Sequence, residues 1–187
     1  MQADAVLEEN GLTAPTVIDI EASGFGRGSY PIEVGFVLAD GESWCSLVRP
    51  EPDWLHWDIS AAAVHRIPRD SLLRHGRSCA DVAQLLNQRL RGQTVYTDCW
   101  AHDYAWIARL YDAAERSPSF RLANLQGLLN DTQLARWDQT RAEVAARLRL
   151  HRHRASADAR VLQQTLVTLR HASAAGGIAP ASEPGPG

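Results

Sequence analysis

Two carboxylates at the end of an apolar run, in Thr16-Val17-Ile18-Asp19-Ile20-Glu21, constrain this chain more than any other feature. In a β-strand residues i and i+2 share a face, so Asp19 and Glu21 point one way while Ile18 and Ile20 point the other. Like charges side by side at the edge of a core repel each other and lose hydration. A positive group has to compensate them, either an arginine from elsewhere in the chain or a pair of divalent cations. The strand then runs into Ala22-Ser23-Gly24-Phe25-Gly26, a flexible loop that lets a substrate backbone approach.

The bulk properties narrow the classes. The chain has 187 residues, 45% of them hydrophobic, enough for one domain with a respectable core. A net charge of −3 gives no bulk attraction to nucleic acid. Every basic residue is Arg. Arginine grips phosphate bidentately, but a lysine-free chain also follows from genomic base composition, which is the preferred explanation. Cys45, Cys79 and Cys99 are too few and too scattered for a disulfide framework or a zinc site, which points to a reduced, cytoplasmic setting. Met1 to Asn10 is acidic without a signal pattern, and no apolar run approaches the roughly 20 residues of a membrane span. A single domain over 1–171 is expected, followed by an Ala/Gly/Ser/Pro tail over 172–187 with too little to bury to be ordered.

Hydrophobic periodicity predicts strands at Val17–Glu21, Pro31–Leu38, Ser43–Val48, Thr94–Asp98 and Phe120–Ala123, with a hairpin at Asp40-Gly41. Helices are predicted at Ile59–Val64, Cys79–Leu90, Ala101–Glu115, Leu125–Asn130, Gln133–Leu148 and Ala155–His171. A hairpin first and interleaved helices later give an α/β fold with a mixed sheet covered on both faces.

Asp103 opens the mid-chain helix and shares a face with Trp106 and Ile107, at the rim of the core. An acid there is also favoured by the helix macrodipole alone. His153 and Asp158 form a His-x4-Asp spacing. Five residues of regular helix turn the direction by about 140°. The two therefore face one site only if His153 lies in the preceding loop and Asp158 in the first turn of a helix beginning near Ala155. Chance produces such spacings too, and His65 with Asp70 is a second copy, interrupted by Pro68. His151 reads as a solvated or capping residue. The surrounding arginines, with Arg141 and Arg147, serve equally as a solvated basic face or as a phosphate attractor.

The order of these motifs resembles the DEDDh family of 3′–5′ exonucleases, relatives of polymerase proofreading subunits and ribonuclease T. The resemblance spans roughly Thr16 to Leu169. Ile32-Glu33-Val34-Gly35, Val64-His65-Arg66-Ile67 and Asp103-Tyr104-Ala105-Trp106-Ile107 match further family segments. The departures are Asp98-Cys99-Trp100-Ala101-His102 where the family has His-Asn-Ala-x-Phe, and Arg66 in place of a glycine. The first departure leaves Asp98 as a rival to Asp103.

The resemblance implies a ribonuclease H-like fold with a five-stranded mixed sheet flanked by helices. It also implies that Asp19, Glu21, Asp103 and Asp158 hold two Mg²⁺ or Mn²⁺ ions, with Asp19 bridging them. His153 is then the general base, a task for which histidine's near-neutral titration suits it. The substrate is the 3′ end of DNA or RNA, met by Ala22, Ser23, Gly24, Phe25 and His65, and a homodimer is compatible with the family. The alternatives are a nucleic-acid-binding module of the same fold with reduced catalysis, a polymerase proofreading subunit, and a phosphomonoesterase.

Overall fold

The structure is a computed structural model that describes residues 14–150 and 153–176. His151, the acidic Met1–Asn10 segment and residues 177–187 lie outside the described residues.

The fold grows from one central strand, β1 (Val17–Ala22). β2 (Pro31–Val37) and β3 (Ser43–Leu47) extend the sheet antiparallel on one side through the expected hairpin at Asp40-Gly41. β4 (Thr94–Thr97) and β5 (Arg121–Asn124) run parallel to β1 on the other side, giving the order β3-β2-β1-β4-β5. Parallel neighbours need long crossovers. Helices α1 (Ile59–His65), α2 (Arg69–His75) and α3 (Cys79–Arg89) lie in the crossover to β4, and α4 (Trp100–Ala113) makes the one to β5. A 3₁₀ turn at Leu125–Leu128, α5 (Asp131–Ala135), α6 (Trp137–Leu148) and α7 (Ala155–Gly176) complete the described chain. This is the expected α/β, ribonuclease H-like arrangement, a five-stranded mixed sheet flanked by helices.

The strand period of two divides β1 between two apolar layers. Ile18 and Ile20 pack in one layer with Leu86 of α3, Leu90 just beyond it, and Leu110 and Tyr111 of α4. Val17 points the other way, with Val37, and packs against Leu162, Leu166 and Leu169 of α7. Asp19 and Glu21 share the Val17 face, so they lie on the side that α7 covers.

Two features bring the start of α7 onto the sheet. Asp19 is in register with Gly35 and Glu21 with Glu33, and paired residues of an antiparallel ladder share a face. At Gly35 a β-carbon would lie 2.3 Å from the Ser156 nitrogen and 2.6 Å from the Ala155 carbonyl carbon. The first turn of α7 therefore rests directly on the β2 backbone, and no side chain fits between them. Beside it, the buried Glu33 carboxylate accepts from the Ala155 N–H at 2.8 Å, satisfying one of the donors that a helix start leaves open.

The structure differs from the sequence expectation in the helices. The predicted Gln133–Leu148 helix is two, broken at Arg136. A reciprocal cap between Asn130 and Gln133 starts α5 earlier than expected. The break brings Trp137 into the α7 layer. The predicted Leu125–Asn130 helix is only the 3₁₀ turn. Helix α2 has no counterpart in the prediction, because Leu72 is its only buried residue and leaves no readable period. Helix α7 runs past the expected boundary at His171 to Gly176.

Gly35→Ala should destabilise the protein by about 1–3 kcal/mol, the usual penalty of overpacking, because the atoms it meets are backbone. Urea unfolding of the two proteins measures the difference.

Candidate active site

The polar ends of β1 and β4 and the first turns of α4 and α7 meet at one place. Asp19 and Glu21 are half-buried at the C-terminal end of β1. β4 ends at Thr97, and the chain turns through Asp98 and Cys99 into α4, which puts Asp103 in that helix's first turn with 1% of its surface exposed. The Thr97 hydroxyl donates to the Asp103 carboxylate and fixes it. Asp19, Glu21 and Asp103 line a cleft of about 210 Å³ with Ala22, Gly24, Phe25 and His65.

The His-x4-Asp motif completes the arrangement from the α7 side. His153 precedes the helix with φ of +62°, a left-handed conformation, and Asp158 lies in the first turn. The His153 backbone N–H donates to Asp158 Oδ2 at 2.8 Å. One potential ligand atom from each of Glu21, His153 and Asp158 lies within 4.8 Å of the others, close enough for a shared metal ion. Glu21 belongs to both groups, so the structure brings together all five of Asp19, Glu21, Asp103, His153 and Asp158.

Electrostatics follow from that crowding. Burial and then the charges of Asp103, Glu21, Asp158 and Asp98 hold the Asp19 carboxyl well above the usual carboxylate range. Burial, then Asp158 and Glu33, raises Glu21 to about 7, with Arg154 opposing. Burial raises Asp103 to about 7 against the lowering effect of the Thr97 hydrogen bond. Among the described residues, the arginines near the cluster bond other acids. Arg154 is committed to Glu33, and Arg141 donates to Asp98 Oδ2 at 2.9 Å. Hard oxygen ligands and one imidazole, crowded and difficult to ionise together, fit a divalent cation.

The substrate side is more varied. Phe25 is 63% exposed at the cleft rim. Its ring meets His102 edge-on at 5.0 Å, and His102 stacks on Trp106 at 5.7 Å. His102 thus keeps an aromatic surface at the position where the sequence departs from the resembled pattern. Gly24 is required by shape, since its φ is +137° and a β-carbon would meet Asp58 Cβ at 2.5 Å. Ser23 is buried, and its hydroxyl accepts from the Tyr30 N–H and pairs with His56 Nδ1. Its side chain shapes the loop behind the cleft.

His65 is 4% exposed. Its Nδ1 accepts from the Ile67 N–H at 3.0 Å, which leaves Nε2 as the protonated nitrogen, buried with no hydrogen-bond partner among the described residues. Asp70, the other half of the second His-x4-Asp spacing, is exposed on α2 and paired with Arg74. Asp98 has its own partner in Arg141, while Asp103 faces the cleft.

Sequence reasoning missed what holds α7 in place. Arg154 Nε lies 3.0 and 3.1 Å from the two Glu33 oxygens, and its Nη2 lies 2.5 Å from Oε1. The signal was an acid flanked by Ile32 and Val34 in a strand, since acids are almost never fully buried unless paired.

The same arrangement of strands and helices occurs in solved structures. A moderately thermophilic exonuclease I from Methylocaldum szegediense superimposes with a TM-score of 0.64 at 16% identity, over 84% of this chain and 40% of that one. The zinc-bound E. coli exonuclease I–ssDNA complex gives 0.62 at 15% identity, over 84% of this chain and 41% of that one. E. coli exonuclease I with a dA16 oligonucleotide gives 0.61 at 13%, over 82% and 41%. This chain shares its fold with the matched part of these exonuclease I structures. This chain spans about two fifths of the length of those it matches. No family model and no curated protein sequence matches it. No helix among the described residues is long and apolar enough to cross a membrane.

The raised carboxyls set a pH dependence with a defined sign. Between the ordinary value of 3.8 and about 7, Asp103 binds a proton in the folded state that it has lost in the unfolded one. Its ionisation therefore removes stability as pH rises through that window. In metal-free protein, Asp103→Asn should gain stability relative to the parent as pH rises from 5 to about 7, by up to about 1.4 kcal/mol per pH unit, and gain no more above that. Urea midpoints across that range test it.

Proposed function

We propose that this chain is a metal-dependent 3′–5′ exonuclease that hydrolyses phosphodiester bonds at the 3′ end of DNA or RNA, with His153 as general base. The observation that carries the reading is that Asp19, Glu21 and Asp103 line one cleft while His153 and Asp158, at the start of α7, bring ligand atoms within 4.8 Å of Glu21. The exonuclease fold supports it, as does the single-stranded DNA present in the E. coli exonuclease I structures.

Asp19, Glu21, Asp103 and Asp158 would hold two Mg²⁺ or Mn²⁺ ions, with Glu21 common to the cleft acids and to the His153–Asp158 group. When bound, such ions neutralise the phosphodiester, activate water and stabilise the leaving 3′-oxygen. The remaining steps belong to the chain's own residues. The raised carboxyls release their protons as the ions bind. The His153 ring, beside Glu21 and Asp158, takes the proton of the attacking water, and general-base catalysis contributes about 10²–10⁴-fold. Phe25 supports the terminal base by stacking, and the narrow backbone at Ala22–Gly24 lets the terminal sugar approach. His65 forms part of the cleft wall against which the terminal nucleotide rests.

His153→Asn is the discriminating variant, because asparagine tolerates a left-handed backbone better than most residues. It should lower kcat by about 10²–10⁴-fold on a 5′-labelled single-stranded oligonucleotide with Mn²⁺. Asp19→Ala and Asp158→Ala should abolish metal-dependent release of mononucleotides, and Asp70→Ala should leave it at the parent's rate. Hydrolysis at the parent's rate by His153→Asn would overturn the assignment. A parent that retains the oligonucleotide without shortening it is a binding module instead.

A further inference from the structure

We infer that Glu33 and Arg154 are positioning residues for the metal centre, a clamp that fixes His153 and Asp158 against Glu21; this rests on the reading of the site as a metal centre. Neither side chain lines the acidic cleft. Both are joined to residues that do, or that belong to its ligand cluster.

The geometry places the clamp between β2 and the His153–Asp158 turn. Glu33 lies directly across the ladder from Glu21 on the same face. Its carboxylate is 1% exposed and receives three contacts from the Arg154 guanidinium and one from the Ala155 N–H. A planar guanidinium fork on a carboxylate fixes direction as well as distance. Arg154 is therefore held in orientation, and its peptide neighbour His153 with it. His153 adopts a left-handed backbone, which costs a non-glycine residue energy and persists only where its surroundings enforce it. The enforcing contacts are Arg154–Glu33 on one side and the His153 N–H to Asp158 Oδ2 on the other. The latter also orients the Asp158 carboxylate.

The clamp has a second consequence. An unpaired Glu33 would place another carboxylate directly opposite Glu21, where it either repels Glu21 or competes for the ion. Arg154 ties that carboxylate down and leaves Glu21 to the cluster. Partners that orient first ligands in this way typically change metal affinity by about 10- to 100-fold when removed.

Mn²⁺ binding by the metal-free protein, followed through the EPR signal of the free ion, tests the clamp without relying on turnover. Arg154→Met is suited to it, because the Arg154 side chain is 47% exposed and its stem needs no buried partner. It should bind Mn²⁺ about 10- to 100-fold more weakly than the parent while unfolding cooperatively at a temperature well above that of the assay. Arg154→Lys, which keeps the charge but not the fork, should fall between the two. Glu33→Gln should weaken binding as well, since it keeps an acceptor for the Ala155 N–H but loses the ionic anchor. Equal Mn²⁺ affinity in Arg154→Met and the parent would overturn the clamp while leaving the metal centre intact. Weakened binding only in variants that have lost cooperative unfolding would also overturn it, by making the role merely structural. A parent that binds no Mn²⁺ would remove the metal centre and the clamp with it.

Discussion

The seat of α7 on β2 is the contact on which the rest of the site depends. Asp19 and Glu21 would face an open sheet surface if nothing brought Asp158 to them. Gly35 allows the helix start to reach backbone contact with the strand, and Glu33 supplies the acceptor and counter-charge that its first turn requires. A single strand thus provides both the space and the anchor, two residues apart on one face. The apolar residues farther along α7, packed on Val17 and Val37, fix the helix axis, and the Gly35–Glu33 pair fixes its end.

The acids that this seat gathers are costly to hold ionised together. Burial and mutual repulsion raise Asp19, Glu21 and Asp103, so the metal-free protein keeps part of the cluster protonated at neutral pH. The fold tolerates this because the neighbouring acids are separately satisfied: Glu33 by Arg154 and Asp98 by Arg141. Both pairs sit beside the cluster, so each arginine bonds an acid outside it and Arg154 only partly opposes the rise of Glu21. Neutralisation by arginine would have made a stable but chemically closed site. Pairing the arginines with Glu33 and Asp98 instead leaves the cluster's negative charge available to a cation.

Much of the fold was legible because it is written in local periods. The five strands, the β2–β3 hairpin and the helices at Cys79, Trp100 and Ala155 follow from alternation, turn residues and helical spacing. Asp19 and Glu21 were legible for the same reason, and the 140° argument correctly placed His153 before the helix and Asp158 in its first turn. The rest depends on contacts distant in sequence. Helix α2 buries a single side chain, so no period marks it. The break at Arg136 follows from the packing of Trp137 under α7, and the choice between Asp98 and Asp103 as the residue facing the cleft turns on Arg141, more than 40 positions away. The Glu33–Arg154 pair joins residues 121 apart. A buried acid in Ile32-Glu33-Val34 announces that it needs a partner but not which one.

Departures from the resembled pattern need not dismantle the site. Cys99, Trp100 and His102 differ from it, but each lies in the segment that turns β4 into α4, whose task is to present Asp103. That task is secured elsewhere: Thr97 holds the carboxylate from the strand end, and Trp106 Nε1 bonds Ser29 at 2.9 Å while Arg109 reaches the Ser29 carbonyl, tying the helix to the loop that carries Phe25. Two long-range ties make the residues between them replaceable. Phe25 stays at the rim because α4 holds the base of its loop, and His102 fills the space between Phe25 and Trp106 with another aromatic ring. What the cleft requires is an acid at the helix start and an aromatic surface beside it, and both are met here by side chains that a search for one fixed motif would pass over.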